Sequence, residues 1–143
     1  MAAGSTTSIA VTMNDIDGQT VSLPGRRPGV IVFIKADGSC QSCIAASRVA
    51  ADAVRRAGGH ATLTVLSIDS ATTREALEGF ARSAGDPPAR YVIDDRSGRL
   101  SSMLGASTLA GLVVYDASGH IVGRPTANAG QVQRALRRAG TPG

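Results

Sequence analysis

The chain has 143 residues, a hydrophobic share of 43%, a charged share of 18% and a net charge of +4. That length fits one domain with a real core, and no apolar run approaches the ~18 residues that a membrane-spanning helix needs. With no Trp, two Phe and two Tyr there is no aromatic platform for stacking bases, so nucleic acid is not the expected partner. The C-terminal cluster Arg134, Arg137 and Arg138 reads as the solvated face of a helix.

Residues 1–8 read as a flexible leader, with neither the basic nor the apolar region of a signal peptide. Residues 9–143 read as a single domain. Ile9 to Met13 alternates apolar and polar, Asn14 to Gly18 turns, and Gln19 to Leu23 alternates again, which predicts a β-hairpin. Pro24-Gly25 and Pro28-Gly29 punctuate the chain. Val30 to Ile34 is a continuous β-branched run, as in a strand buried on both faces. Ala46, Val49, Ala50, Ala53, Val54 and Ala57 have helix spacing, and Gly58-Gly59 ends that helix.

Residues 61–68 predict a second strand. Thr72 with Glu75 three residues on suggests a capping box. It precedes a helix whose inner face is Leu77, Phe80, Ala81 and Ala84, stopped by Gly85. Tyr91 to Ile93 is a short strand. Leu100, Met103 and Leu104 predict a short helix ending at Gly105. Residues 111–115 form the next strand, Asp116 to Gly119 a turn, and residues 120–123 its hairpin partner. Residues 129–139 close the chain as a helix with Val132, Ala135 and Leu136 inward. Strands alternating with helices predict an α/β layered sheet, and the closing β-hairpin makes part of it antiparallel.

The chemistry concentrates in one place. Cys40 and Cys43 are the two cysteines of the chain, and they fall between a buried strand and a helix. Residues three apart on a helix lie roughly 5–6 Å from each other, within the Cα separation of a disulfide. A helix N-terminus also favours a thiolate. Cys40, at the exposed end, is therefore the expected attacking thiol, and Cys43 the buried resolving one. A purely structural role is weak, because so small a loop removes little unfolded-state entropy. Two thiolates suffice for a soft ion such as Cu(I). A four-ligand zinc site would need His60 and His120, whose spacing fits no finger.

Five stretches taken in order resemble the thioredoxin-like superfamily, and within it the TlpA/redoxin group of thiol–disulfide oxidoreductases. "IAVTMNDIDGQTVSL" looks like the opening hairpin, and "GVIVFIKADGSCQSC" like the strand and active-site loop. "TLTVLSID" looks like the second strand. "YVIDDRSGRLSSMLGAS" and "LAGLVVYDASGHIVGR" look like the later strand, acidic turn, short helix and hairpin. The resemblance implies a three-layer α/β/α fold with a central mixed sheet and an N-terminal β-hairpin. It also implies an enzyme that cycles a Cys40–Cys43 disulfide through a mixed disulfide with a protein thiol or disulfide partner, without a bound cofactor or metal. The location implied is outside the cytoplasm, secreted or membrane-tethered through a segment of a longer chain, with the cytoplasm as the alternative.

Three departures from that family stand out. By register Ala110, preceded by Leu109, occupies the place of the family's cis-proline, beside which substrate docks. Leu109 and Ala110 are thus the expected substrate-binding positions, and a trans Leu109–Ala110 bond or a rearranged loop is expected, because a cis bond before a non-proline costs about 3–4 kcal/mol. The lead-in from Lys35 to Ser39 lacks aromatics, and the buried carboxylate that often serves the resolving thiol is missing from the strand. Lys35 would favour a thiolate and Asp37 oppose it. The residues between the cysteines are Gln41 and Ser42, without the common proline.

Two other functions compete. A Sco-like copper-binding protein would hold Cu(I) on Cys40 and Cys43, but its distant histidine corresponds to Thr108. A peroxiredoxin-like peroxidase would need Ser39 and Arg90 beside the reactive cysteine.

Overall fold

The structure is a computed structural model that describes residues 8–36, 40–69, 71–94 and 110–140. The elements follow the sequence pattern. A hairpin of β1 (Val11–Asn14) and β2 (Thr20–Leu23) leads to β3 (Gly29–Ile34), α1 (Gln41–Arg56), β4 (Thr62–Ser67), α2 (Arg74–Ser83) and β5 (Arg90–Ile93). Then come β6 (Leu112–Tyr115), β7 (Ile121–Gly123) and α3 (Ala129–Arg138). The short helix expected at residues 100–105 lies outside the described residues.

The central sheet runs β5-β4-β3-β6-β7. β4 is parallel to both β3 and β5, while β6 is antiparallel to β3 and to β7. This is the mixed sheet the sequence predicts: β3–α1–β4–α2–β5 is a pair of parallel crossovers, and the tight turn after β6 returns the chain antiparallel. All six residues of β3 are buried. Val30, Val32 and Ile34 pack on one side with the inner faces of the three described helices, including Ala46, Ala50, Leu77, Phe80, Val132 and Leu136. Ile31 and Phe33 pack on the other side with Val21 and Leu23 of the hairpin, and with Val113 and Tyr115. The hairpin thus covers the second face of the sheet, and it is tied to β5 by an isolated bridge between Asp15 and Val92.

The local signals that bound the helices are partly those expected. Gly85 ends the α2 region at φ 89°, a conformation glycine adopts without a Cβ clash. The cap of α2 differs from the expectation. Thr73, not Thr72, is the N-cap and accepts from the Ala76 amide at 3.1 Å. Thr72 is occupied elsewhere: its Oγ1 lies 2.7 Å from Ser67 Oγ at the end of β4. Glu75 consequently falls in the first turn, where it complements the helix dipole rather than closing a capping box.

Candidate active site

The site grows out of the end of β3. The strand delivers the chain to Lys35 and Ala36, and α1 begins directly after Cys40. Cys40 is the N-cap, with its Sγ accepting from the Cys43 amide at 3.1 Å. The sulfur does there what a serine or aspartate oxygen does at most caps: it answers an amide that has no partner within the helix. Ser42 Oγ lies 3.4 Å from the same sulfur. No acidic residue stands in the first turn of α1, so no carboxylate on the helix itself opposes the positive end of the dipole at Cys40.

Cys40 and Cys43 form a disulfide, with Cα atoms 5.2 Å apart. Cys43 is completely buried, whereas Cys40 is partly exposed. The bond therefore has one sulfur that a partner can reach and one that it cannot. The difference follows from position: the N-cap stands at the mouth of the helix, and the residue three further on faces the sheet.

Ala110 is half-buried at the start of β6 and belongs to the same apolar cluster as Cys40, Cys43 and Ala36. Its φ is 64°, a left-handed conformation unusual for a residue with a Cβ. The backbone is nevertheless held on both sides. The Ala110 amide donates to the Phe33 carbonyl at 2.8 Å, and the Phe33 amide donates to the Gly111 carbonyl at 3.0 Å. A proline would fit neither the angle nor the donated bond. Leu109, its expected companion in substrate docking, lies outside the described residues, as do Asp37, Ser39 and Thr108.

The remaining expected residues are spread away from the sulfurs. His60 precedes β4 and His120 precedes β7; both lie at the end of the sheet where β3 begins, since Gly29 pairs with Thr62 and with Tyr115. Cys40 is beyond the other end of that strand, about 20 Å away at ~3.3 Å per residue. Among the described residues no group of three or more metal-ligating side chains stands together. Arg90 does not serve a reactive cysteine: it opens β5 and binds Asp15 at 3.2 Å and Gln19 at 2.7 Å in the hairpin. That arrangement opposes the peroxidase alternative.

Two polar residues at this site escape the sequence reading. Asp94 follows β5 and is completely buried, at the same end of the sheet as the disulfide; its amide donates to the Ser67 carbonyl at 2.9 Å. The signal was present as an aspartate directly after an apolar strand, but it reads equally as the start of a turn. Ser47, one turn beyond Cys43, is also completely buried.

An open cleft of about 1100 Å³ lies at the opposite pole, between the C-terminal ends of α1 and α2 and the start of β4. Much of its charge is already answered within the chain: Arg48 donates to the Ser83 carbonyl, Arg55 pairs with Asp52, and Arg90 with Asp15. It is remote from the sulfurs and carries none of their chemistry.

No family model matches the chain, and no curated protein matches it. Solved structures do. A thioredoxin-like protein from Aeropyrum pernix superposes with a TM-score of 0.76 at 19% identity, over 90% of this chain and 89% of that one. The thioredoxin domain of a thiol-disulfide oxidoreductase from Bacteroides vulgatus gives 0.76 at 15% identity, covering 96% and 97%. StoA from Bacillus subtilis gives 0.69 at 16% identity, covering 92% and 98%. At these identities the likeness concerns the path of the backbone, and it extends over nearly the whole length of each chain. The mixed sheet, the opening hairpin and the Cys40–Cys43 disulfide at the head of α1 together make this chain a member of the thioredoxin-like fold.

Proposed function

We propose that the chain is a thiol–disulfide oxidoreductase acting on protein partners through Cys40 and Cys43. The observation that carries this reading is the asymmetry of the disulfide: Cys40 is partly exposed at the N-cap, and Cys43 is completely buried one turn inward. In the reduced protein the Cys40 thiolate attacks a partner disulfide. One partner sulfur leaves as a thiolate, and a mixed disulfide remains on Cys40. Cys43 loses its proton and attacks the Cys40 sulfur. The second partner sulfur then leaves, and the Cys40–Cys43 disulfide is restored. Two electrons pass to the partner, whose thiolates take up protons. The reverse sequence oxidises a partner dithiol.

Leu109 and Ala110 are the docking positions on this reading. The half-buried Ala110 packs on the same cluster as Cys40, which supports placing the partner backbone there. The proposed location is outside the cytoplasm, on the resemblance to the TlpA group, where disulfides persist. No helix among the described residues is long and apolar enough to cross a membrane.

The test is reduction of insulin disulfides by the dithiothreitol-charged protein, together with trapping. Cys43→Ser should accumulate a mixed disulfide on Cys40, because the resolving thiol is gone, and Cys40→Ser should accumulate none. Equal trapping by both variants, or no turnover above dithiothreitol alone, would refute the assignment.

A further inference from the structure

The buried stripe of α1 is Cys43, Ala46, Ser47, Ala50 and Ala53. In this run of small apolar side chains Ser47 carries the polar atom, and its Oγ is buried without a hydrogen-bond partner among the described residues. An unanswered interior hydroxyl costs free energy, and native proteins rarely keep one without a use. Alanine occupies the neighbouring stripe positions and would have fitted here. Four residues separate Ser47 from Cys43, so the two lie about 40° apart around the helix and roughly 5–6 Å apart between Cβ atoms. Side chains on a helix lean towards its N-terminus, which directs Ser47 at the turn that holds Cys43.

In the oxidised protein Cys43 Sγ is bonded to Cys40, towards the mouth of the helix. Opening the disulfide frees that sulfur and makes it a far better acceptor, since the electron pair of the broken bond stays on it as a thiolate until it is protonated. We infer that Ser47 is a positioning residue for the reduced state, its hydroxyl donating to the Cys43 sulfur once the disulfide opens. The hydroxyl is unpaired in one redox state and paired in the other, so Ser47 shifts the balance towards the dithiol. It also holds Cys43 in the deprotonated form that attacks the mixed disulfide. This inference rests on the proposed oxidoreductase reading. Among the described residues the charged groups at this end of the sheet include Lys35 after β3, Asp69 after β4, Asp94 after β5, and Arg74 and Glu75 at the head of α2, Arg74 being paired with Asp17.

The experiment compares wild type with Ser47→Ala, which extends the alanine stripe and preserves the fold. Both are equilibrated with mixtures of reduced and oxidised dithiothreitol, and the oxidised fraction is read by alkylation and mass measurement. The equilibrium constant for reduction should fall about tenfold in Ser47→Ala, a potential about 30 mV lower. In a Cys40→Ser background Cys43 is the remaining thiol. Its thiolate absorbance should develop at higher pH when Ser47→Ala is added, and Ser47→Thr, which keeps the hydroxyl, should restore the wild-type curve. An equilibrium within twofold of wild type together with superimposable titrations would overturn the inference. Neither readout uses a protein substrate, so a failure here is distinct from a failure of the insulin and trapping assays.

Discussion

Ala110→Gly and Ala110→Pro should move stability in opposite directions. At φ 64° the Cβ of Ala110 meets the following carbonyl, which costs roughly 1–2 kcal/mol. Glycine removes that cost, but its freer unfolded chain gives back about 0.4–1 kcal/mol. The expected net gain is about 0.5–1 kcal/mol. Proline fixes φ near −65°, so the backbone would have to swing by about 130°. It also deletes the amide that donates to Phe33 at 2.8 Å. Phe33 is completely buried, and leaving its carbonyl unanswered costs about 1–3 kcal/mol. With the misfit of the backbone added, the loss should reach about 3–4 kcal/mol, a large part of a domain's usual 5–15 kcal/mol. Urea unfolding of the oxidised variants, followed by circular dichroism and fitted with a common slope, measures both. A proline variant within about 0.5 kcal/mol of wild type, or a glycine variant that loses stability, would refute the left-handed assignment. The proline that the resemblance places here would then be compatible with this backbone after all.

Gly29→Ala should destabilise the sheet, because an added Cβ would run into the Tyr115 hydroxyl and lie 2.7 Å from Thr62 Oγ1. Overpacking of this kind costs about 1–3 kcal/mol, a fall of roughly 5–10 °C in Tm, and an unchanged melting curve would contradict the packing. Asp15 gives an acid-side effect. Its shielding from water raises the carboxyl pKa, but the amides of Gln19 and Asp17 and the Arg90 guanidinium outweigh that and hold it below the ordinary value. Stability from this group is present above the unfolded pKa near ~3.9 and is lost as pH falls through the lower folded value; Asp15→Asn should flatten that part of the stability profile. Tyr91 acts on the alkaline side: burial, and then the charge of Asp86, push its hydroxyl up to about 12. Its contribution is complete below the unfolded value near ~10 and disappears as pH rises through about 12, so Tyr91→Phe should make the alkaline decline shallower. Tyr115, raised by its own burial, should leave part of the slope in place.

The element order was legible because hydrophobic period and the flanking turn residues together leave one backbone for each element. Val30 to Ile34 has no polar alternation and could only be a doubly covered strand or a short buried helix, and the glycines and prolines around it decide for the strand. The position of Cys40 followed from that boundary. What failed was local competition between equivalent groups. Thr72 and Thr73 both precede the helix, and their roles are decided by Ser67, five residues before Thr72 and on another element. The register that puts Ala110 in the proline's place says nothing about its φ, which is set by a ladder reaching across to Phe33. Asp94 and Ser47 were passed over for one reason: their burial is a property of packing between elements, and in the sequence each looks like an ordinary turn or helix-surface residue.

The two cysteines are chemically identical in the chain, and only the fold separates them. One sits where the free amides and the helix dipole converge at the end of β3; the other lies in the buried stripe of α1, among alanines that offer a thiolate nothing. Burial disfavours the charged form of a thiol, so the complete burial of Cys43 protects it from outside partners but would also slow its attack on the mixed disulfide. A group that helps Cys43 lose its proton must therefore lie inside the protein and must not need a partner while the disulfide is closed. Asp94, the buried carboxylate at this end of the sheet, carries its burial cost in both redox states. A small neutral hydroxyl carries far less, and among the buried side chains of α1 Ser47 is the one that has it.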